Sequence, residues 1–116
     1  MSKRDWKLFI YDILECIKKI EKYVTNLSYD DFFGDEKTKD AVVRNLEIIG
    51  EAAKHIPEEI KRKYPEIPWQ QIMGLKIRLV HAYFIVDYYV VWNIITKELP
   101  DLKTKIVEIL KRERLR

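Results

Sequence analysis

Cysteine is almost absent from this chain, which has Cys16 alone. A single cysteine excludes an intrachain disulfide framework, and its place in an apolar helical pattern suits a reducing cytoplasm. Histidine occurs only twice, as His55 and His81, far apart in sequence. Two distant histidines and one cysteine in an apolar stripe do not make a metal site, so no metal and no cofactor is expected. No Gly-x-x-x-x-Gly-Lys phosphate loop and no nucleophile elbow is present. No apolar run approaches the ~20 residues of a membrane span, and the opening Met-Ser-Lys-Arg-Asp lacks a signal-peptide core. A cytoplasmic protein without a membrane partner is the expectation. Charge of one sign is lacking too. The net charge is +3, with basic residues dispersed among acids, which argues against a sequence-specific DNA reader. Any anionic partner has to be met by a local patch.

What is present is 47% hydrophobic and 35% charged residues, only three glycines, and apolar positions recurring at helical steps. At 116 residues this fits one compact helical domain over 1–116. Trp6, Phe9, Ile10, Ile13, Leu14, Ile17, Ile20 and Val24 predict a helix from about Asp5 to Thr25 with one buried stripe. Ser28 and Asp31 predict a short capped turn ending at Gly34. A second long helix is expected from about Glu36 to His55, its Gly50 marking a close approach of another helix. Arg44, Glu47 and Glu51 on this helix are candidates for lining a cleft or a dimer surface. A short helix begins at Pro57 and stops before Pro65. No segment alternates with period two. The fold class is all-α, an up-and-down bundle of about five helices.

The chemistry-bearing stretch runs from Pro68 to Tyr83. Pro68-Trp69 suits a helix start, and apolar residues at helical spacing predict a helix to about Ala82. At 100° per residue, Trp69, Ile72, Met73, Leu75, Leu79, Val80 and Tyr83 share an apolar arc. Gln70, Gln71, Gly74, Arg78 and His81 form the polar arc. Lys76 falls within the apolar one. Asp87 is a reasonable N-cap, and a candidate cleft or dimer residue besides. It opens a helix that is apolar nearly all round through Tyr88, Tyr89, Val91, Trp92, Ile94 and Ile95. A self-association surface is the simplest second side for such a helix. Leu99-Pro100-Asp101 is expected to break it and start the last helix.

Gly74-Leu75-Lys76-Ile77-Arg78-Leu79-Val80-His81-Ala82-Tyr83, followed by Asp87 and Trp92, resembles the signature of the HepT-like branch of the HEPN superfamily. In that signature an arginine-asparagine pair precedes His-X-Tyr. The likeness extends upstream through Arg44-Asn45-Leu46-Glu47-Ile48-Ile49-Gly50-Glu51-Ala52 and downstream to Leu99-Pro100, so it covers nearly the whole chain. Aligned by glycine and histidine, the family's Arg-Asn falls on Lys76-Ile77.

The resemblance implies a small homodimeric RNase toxin paired with a separately encoded minimal nucleotidyltransferase antitoxin. RNA, whether tRNA or mRNA, is then the substrate. His81 is the expected general acid or base, because an imidazole near neutrality can take a proton from a ribose 2′-hydroxyl. A cation beside it would stabilise charge on the phosphoryl oxygens. Helix geometry pairs His81 with Arg78, three residues away, whereas the family alignment pairs it with Lys76; both stay open on the sequence. Tyr83 matches the tyrosine that the antitoxin modifies with AMP. Lysine offers a point charge where arginine offers a fork, so a second expectation stands beside the first. In it the chain is a non-catalytic module that binds RNA or the nucleotidyltransferase. A purely structural helical dimer is the third.

Overall fold

The computed structural model describes residues 5–80 and 85–114. Helix α1, Trp6–Val24, starts where the Asp5 carboxylate accepts the Lys7 N–H at 2.9 Å, and its apolar stripe is buried through Ile10, Ile13, Leu14, Cys16, Ile17 and Ile20. Helix α2, Tyr29–Phe33, is a capped turn. Ser28 accepts the Asp31 N–H and Asp31 accepts the Ser28 N–H, both at 3.1 Å, and Gly34 ends it. Helix α3, Glu36–Lys54, packs along α1 and buries Val42, Leu46, Ile49, Ala52 and Ala53 on the matching stripe. Each large aliphatic side chain so buried contributes roughly 1.5–3 kcal/mol. That exceeds the ~1 kcal/mol of a typical cap, so the α1–α3 stripe holds the fold and the caps set its ends.

Helix α4, Glu58–Lys63, follows Pro57 and ends at Tyr64. Tyr64 is buried, with its hydroxyl donating to the Glu113 carboxylate. Lys63 joins Glu113 at 2.8 Å, so this corner is tied to the far end of the chain. The Trp69 indole N–H donates to the Tyr64 carbonyl at 3.0 Å and anchors the stretch that follows.

The start and end points expected from the sequence hold as far as Pro68, and two expectations beyond it need correction. The helix expected over Trp69 to Ala82 is interrupted. Helix α5, Trp69–Met73, and helix α6, Leu75–Arg78, are separated by a turn at Gly74, and α6 ends at Leu79. Past Leu79 the backbone is extended at Val80, which bridges antiparallel to Val86. The uniform 100° stepping therefore fails for Lys76. Leu75 and Leu79 are buried, four residues apart, and Lys76 sits on the exposed flank of that pair.

The second correction concerns Pro100. Helix α7, Tyr88–Asn93, does not break at Leu99. It passes through a π-helical turn, Ile94–Glu98, into helix α8, Leu99–Arg114. The Leu99 N–H reaches back five residues to the Ile94 carbonyl. Proline has no N–H to give and clashes with the carbonyl four residues back, and the wider turn leaves it room.

The apolar helix α7 needs a second side besides the core. Helix α2 supplies much of it within the same chain. Phe32 packs against Trp92 and Tyr88 with ring centroids 5.2 and 6.3 Å apart, and Tyr29 meets Trp92 and Tyr89 edge-on. The Lys39 ammonium lies between the Phe33 and Tyr88 rings at 4.6 and 4.4 Å and bonds Glu36 at 2.8 Å. That pairing explains a buried lysine. Among the described residues, no helix is long and apolar enough to cross a membrane.

Candidate functional site

His81 and Tyr83 lie outside the described residues, in the segment 81–84, which Val80 and Ile85 flank. The Asp87 N–H donates to the Leu79 carbonyl at 2.7 Å, and with the Val80–Val86 bridge this brings the two ends of the motif segment together. Asp87 also caps α7, accepting the Tyr89 and Val90 N–H groups at 3.1 and 3.2 Å. Its carboxylate thus sets the entry angle of the helix that follows the motif.

Lys76 and Arg78 are two residues apart on a single helical turn, a spacing that sends side chains to different sides. Arg78 donates two hydrogen bonds to the Glu98 carboxylate, at 3.1 and 2.7 Å. It lines a groove shared with Gln71, Lys97 and Lys105. Lys76 is exposed, forms no ion pair with any described residue, and opens onto the opposite groove. The geometry of the two cations is therefore unlike: one is fixed and neutralised, the other is available.

The groove below Lys76 has a volume of about 300 Å³ and runs between α3 and the α5–α6 turn. Arg44, Glu47 and Glu51 line it from α3, each three or four residues from the next, so they share one face. Gly50 lets the two walls meet. A Cβ there would stand 3.0 Å from the Ile72 carbonyl oxygen and 3.5 Å from the Leu75 side chain. Glu51 pairs with Lys54 at 3.7 Å, whereas Arg44 is exposed and makes no ion pair among the described residues.

Sequence reasoning treated His55 only as the end of a helix. It caps α3, lines the same groove, and stacks on Phe9 of α1 with centroids 4.7 Å apart and planes 13° from parallel. The signal was in the spacing, since His55 is four residues beyond Glu51 on the face that carries Arg44. Cys16, by contrast, is buried in α1, and burial pushes its thiol above the ordinary range, away from use as a nucleophile.

Comparison with known proteins identifies the family. Residues 13–109 match the family described as "Ribonuclease HepT-like". A candidate RNase of Methanocaldococcus jannaschii is 45% identical over 111 residues, covering 96% of this chain and 92% of that protein. The probable ribonuclease HepT of Thermococcus cleftensis is 44% identical over 109 residues, covering 94% and 99%. A candidate RNase of Caldanaerobacter subterraneus is 43% identical over 100 residues, covering 86% and 88%. No solved structure gives a significant match. On the extent of these matches, the chain belongs to the HepT-like ribonuclease family.

Proposed function

We propose that this chain is the RNase toxin of a toxin–antitoxin pair, a single domain over 1–116 that acts as a cytoplasmic homodimer and cleaves RNA without a metal ion. The observation that carries the reading is the exposed Lys76 ammonium, unpaired among the described residues and five positions before His81. In the reaction His81 removes the proton of a ribose 2′-hydroxyl. That oxygen attacks the adjacent phosphorus, the bond to the 5′-oxygen breaks, and the leaving oxygen takes up a proton. The products are a 2′,3′-cyclic phosphate and a 5′-hydroxyl. Charge that builds on the non-bridging oxygens is met by Lys76. Arg78, held by Glu98, serves to position the end of α6. DNA, lacking the 2′-hydroxyl, is not cut.

Ile77, Ile85 and Tyr89 support self-association, with 78%, 62% and 63% of their surfaces exposed around the motif. The antitoxin is a separately encoded minimal nucleotidyltransferase. Attachment of AMP to Tyr83 places negative charge beside the cations that receive RNA phosphate, which silences the site by repulsion and bulk.

The test is incubation of the purified protein, expressed without its partner, with total tRNA and a chelator, alongside His81→Ala. Cleavage by the parent alone, leaving a cyclic phosphate end, is the expected result. Equal cleavage by both sinks the role of His81, and cleavage by neither turns the reading to its alternative. In that alternative the chain holds RNA or the nucleotidyltransferase without cutting. The exposed Ile77 favours it, an apolar side chain in the position where the family signature has a polar asparagine.

A further inference from the structure

The groove between α3 and the motif has a second feature that the cleavage step does not use. We infer that it is a subsite for unpaired RNA, in which a nucleobase stacks on His55 and neighbouring phosphates rest at Arg44 and Lys76. This rests on the RNase reading and names where the strand beside the scissile bond lies.

The platform is built before any ligand arrives. Phe9 packs against the bundle core, and the His55 ring lies nearly parallel on it at 4.7 Å. His55 is exposed and lines the groove, with one ring face backed by Phe9. An aromatic plane fixed in this way takes any base by stacking, with little ordering left to do. Bases within a duplex are already stacked on one another, so the platform selects single strands, loops and ends.

The cations are spaced for the backbone of the same strand. Arg44 and His55 are eleven residues apart on one helix face, a span of roughly 16 Å at 1.5 Å per residue. That is room for a few nucleotides, with Lys76 on the facing wall. Arg44 and Lys76 form no ion pair with a described residue, whereas Lys54 is paired with Glu51, and Asp12 shares the groove wall with them. Glu47 also lines the groove, and its carboxylate cannot take a phosphate. It can accept a ribose 2′-hydroxyl or a base amino group, which sets the register of the strand between the two cations.

Binding is measured in a His81→Ala background, so that the strand stays whole, by fluorescence anisotropy of a short labelled single-stranded RNA and of its duplex. His55→Leu and Arg44→Gln are each expected to weaken single-strand binding by about tenfold, leaving duplex binding unchanged. His55→Phe, which keeps a ring on Phe9, should restore the affinity. Single-strand affinity within about twofold of the parent for His55→Leu overturns the subsite. So does an equal loss for the duplex, or no single-strand binding by the parent at all. The two readings separate cleanly. If wild type cuts no RNA while His55→Leu still loses single-strand affinity, the RNase reading falls and the subsite stands. If wild type cuts and His55→Leu binds normally, the subsite alone falls.

Discussion

Arg78 and Glu98, twenty residues apart, meet in a two-point ion pair that joins the last turn of α6 to the π-helical turn before α8. Both side chains keep substantial solvent contact, at 31% and 45% of their surface, so the pair contributes little to stability, under about 1 kcal/mol. Its effect is on direction. A planar guanidinium held at two points fixes the end of α6, and therefore where Leu79 and Val80 deliver the motif segment.

Arg78→Gln should lower the melting temperature by no more than a few degrees, since less than about 1 kcal/mol is at stake. RNA cleavage should fall by about tenfold or more, with the loss in kcat rather than KM. The charge-swapped Arg78→Glu/Glu98→Arg double variant should recover part of it. A phosphate-binding Arg78 behaves otherwise: KM rises, and the swap makes matters worse.

Lys76→Ala should reduce cleavage by about a hundredfold, the scale for removing one transition-state donor, with melting unchanged. Lys76→Arg with Ile77→Asn restores the family's pair and is the sharper comparison. Cleavage of similar size before and after supports Lys76 as a competent phosphate partner. Cleavage that appears only in the double variant shows that the natural chain is a binding module.

Local signals wrote most of the fold into the sequence. Asp5, Ser28, Asp35 and Asp87 all cap the helices that follow them, because each cap needs only its own side chain and two or three following N–H groups. The motif helix was misread because its end is decided by tertiary contacts. Leu75 and Leu79 go to the core, while the chain turns at Gly74 and bridges at Val80. Pro100 was misread because a proline rule for α-helices does not anticipate a wider turn. At the site, a shared helix face made Arg44, Glu47 and Glu51 legible as neighbours. That Phe9 of another helix would back His55, and that Glu98 would take Arg78, are long-range facts with no local signature.

Gly50→Ala tests the contact that shapes the groove. Alanine improves helix propensity by roughly 1 kcal/mol. Here its Cβ would meet the Ile72 backbone carbonyl at 3.0 Å, and a carbonyl within a helix cannot move aside as a flexible side chain can. The crowding should win, with a net loss of about 1–2 kcal/mol by denaturant titration. A stabilised variant would show that α5 shifts freely on α3.

Asp35 gives a pH signature. It caps α3, and the Thr38 backbone N–H, followed by the Thr38 hydroxyl, holds its carboxyl below the ordinary range. A carboxylate lowered by folding adds stability above its unfolded value, and that stability is lost as pH falls through the folded value. Asp35→Ala should therefore melt below the parent at neutral pH, and the gap should close in acid once Asp35 is protonated. A gap that persists at the lowest pH would assign the loss to helix packing instead.

Ile77 tests whether assembly and activity are one property. It lies on the turn that carries Lys76, with 78% of its surface exposed, and Ile85 is exposed just beyond the motif segment. An exposed apolar surface costs solubility unless another surface covers it. In the proposed homodimer a second copy does so, with the same patch on both sides, as two-fold symmetry requires. Ile77→Asp would set two like charges against each other there, so sedimentation should report a monomer where the parent is a dimer. The fold should survive, since Ile77 buries little within its own chain. Cleavage should vanish with the dimer and stay absent at any protein concentration that leaves the variant monomeric. A monomeric variant that still cuts would place the whole site within one chain and remove the reason for the dimer.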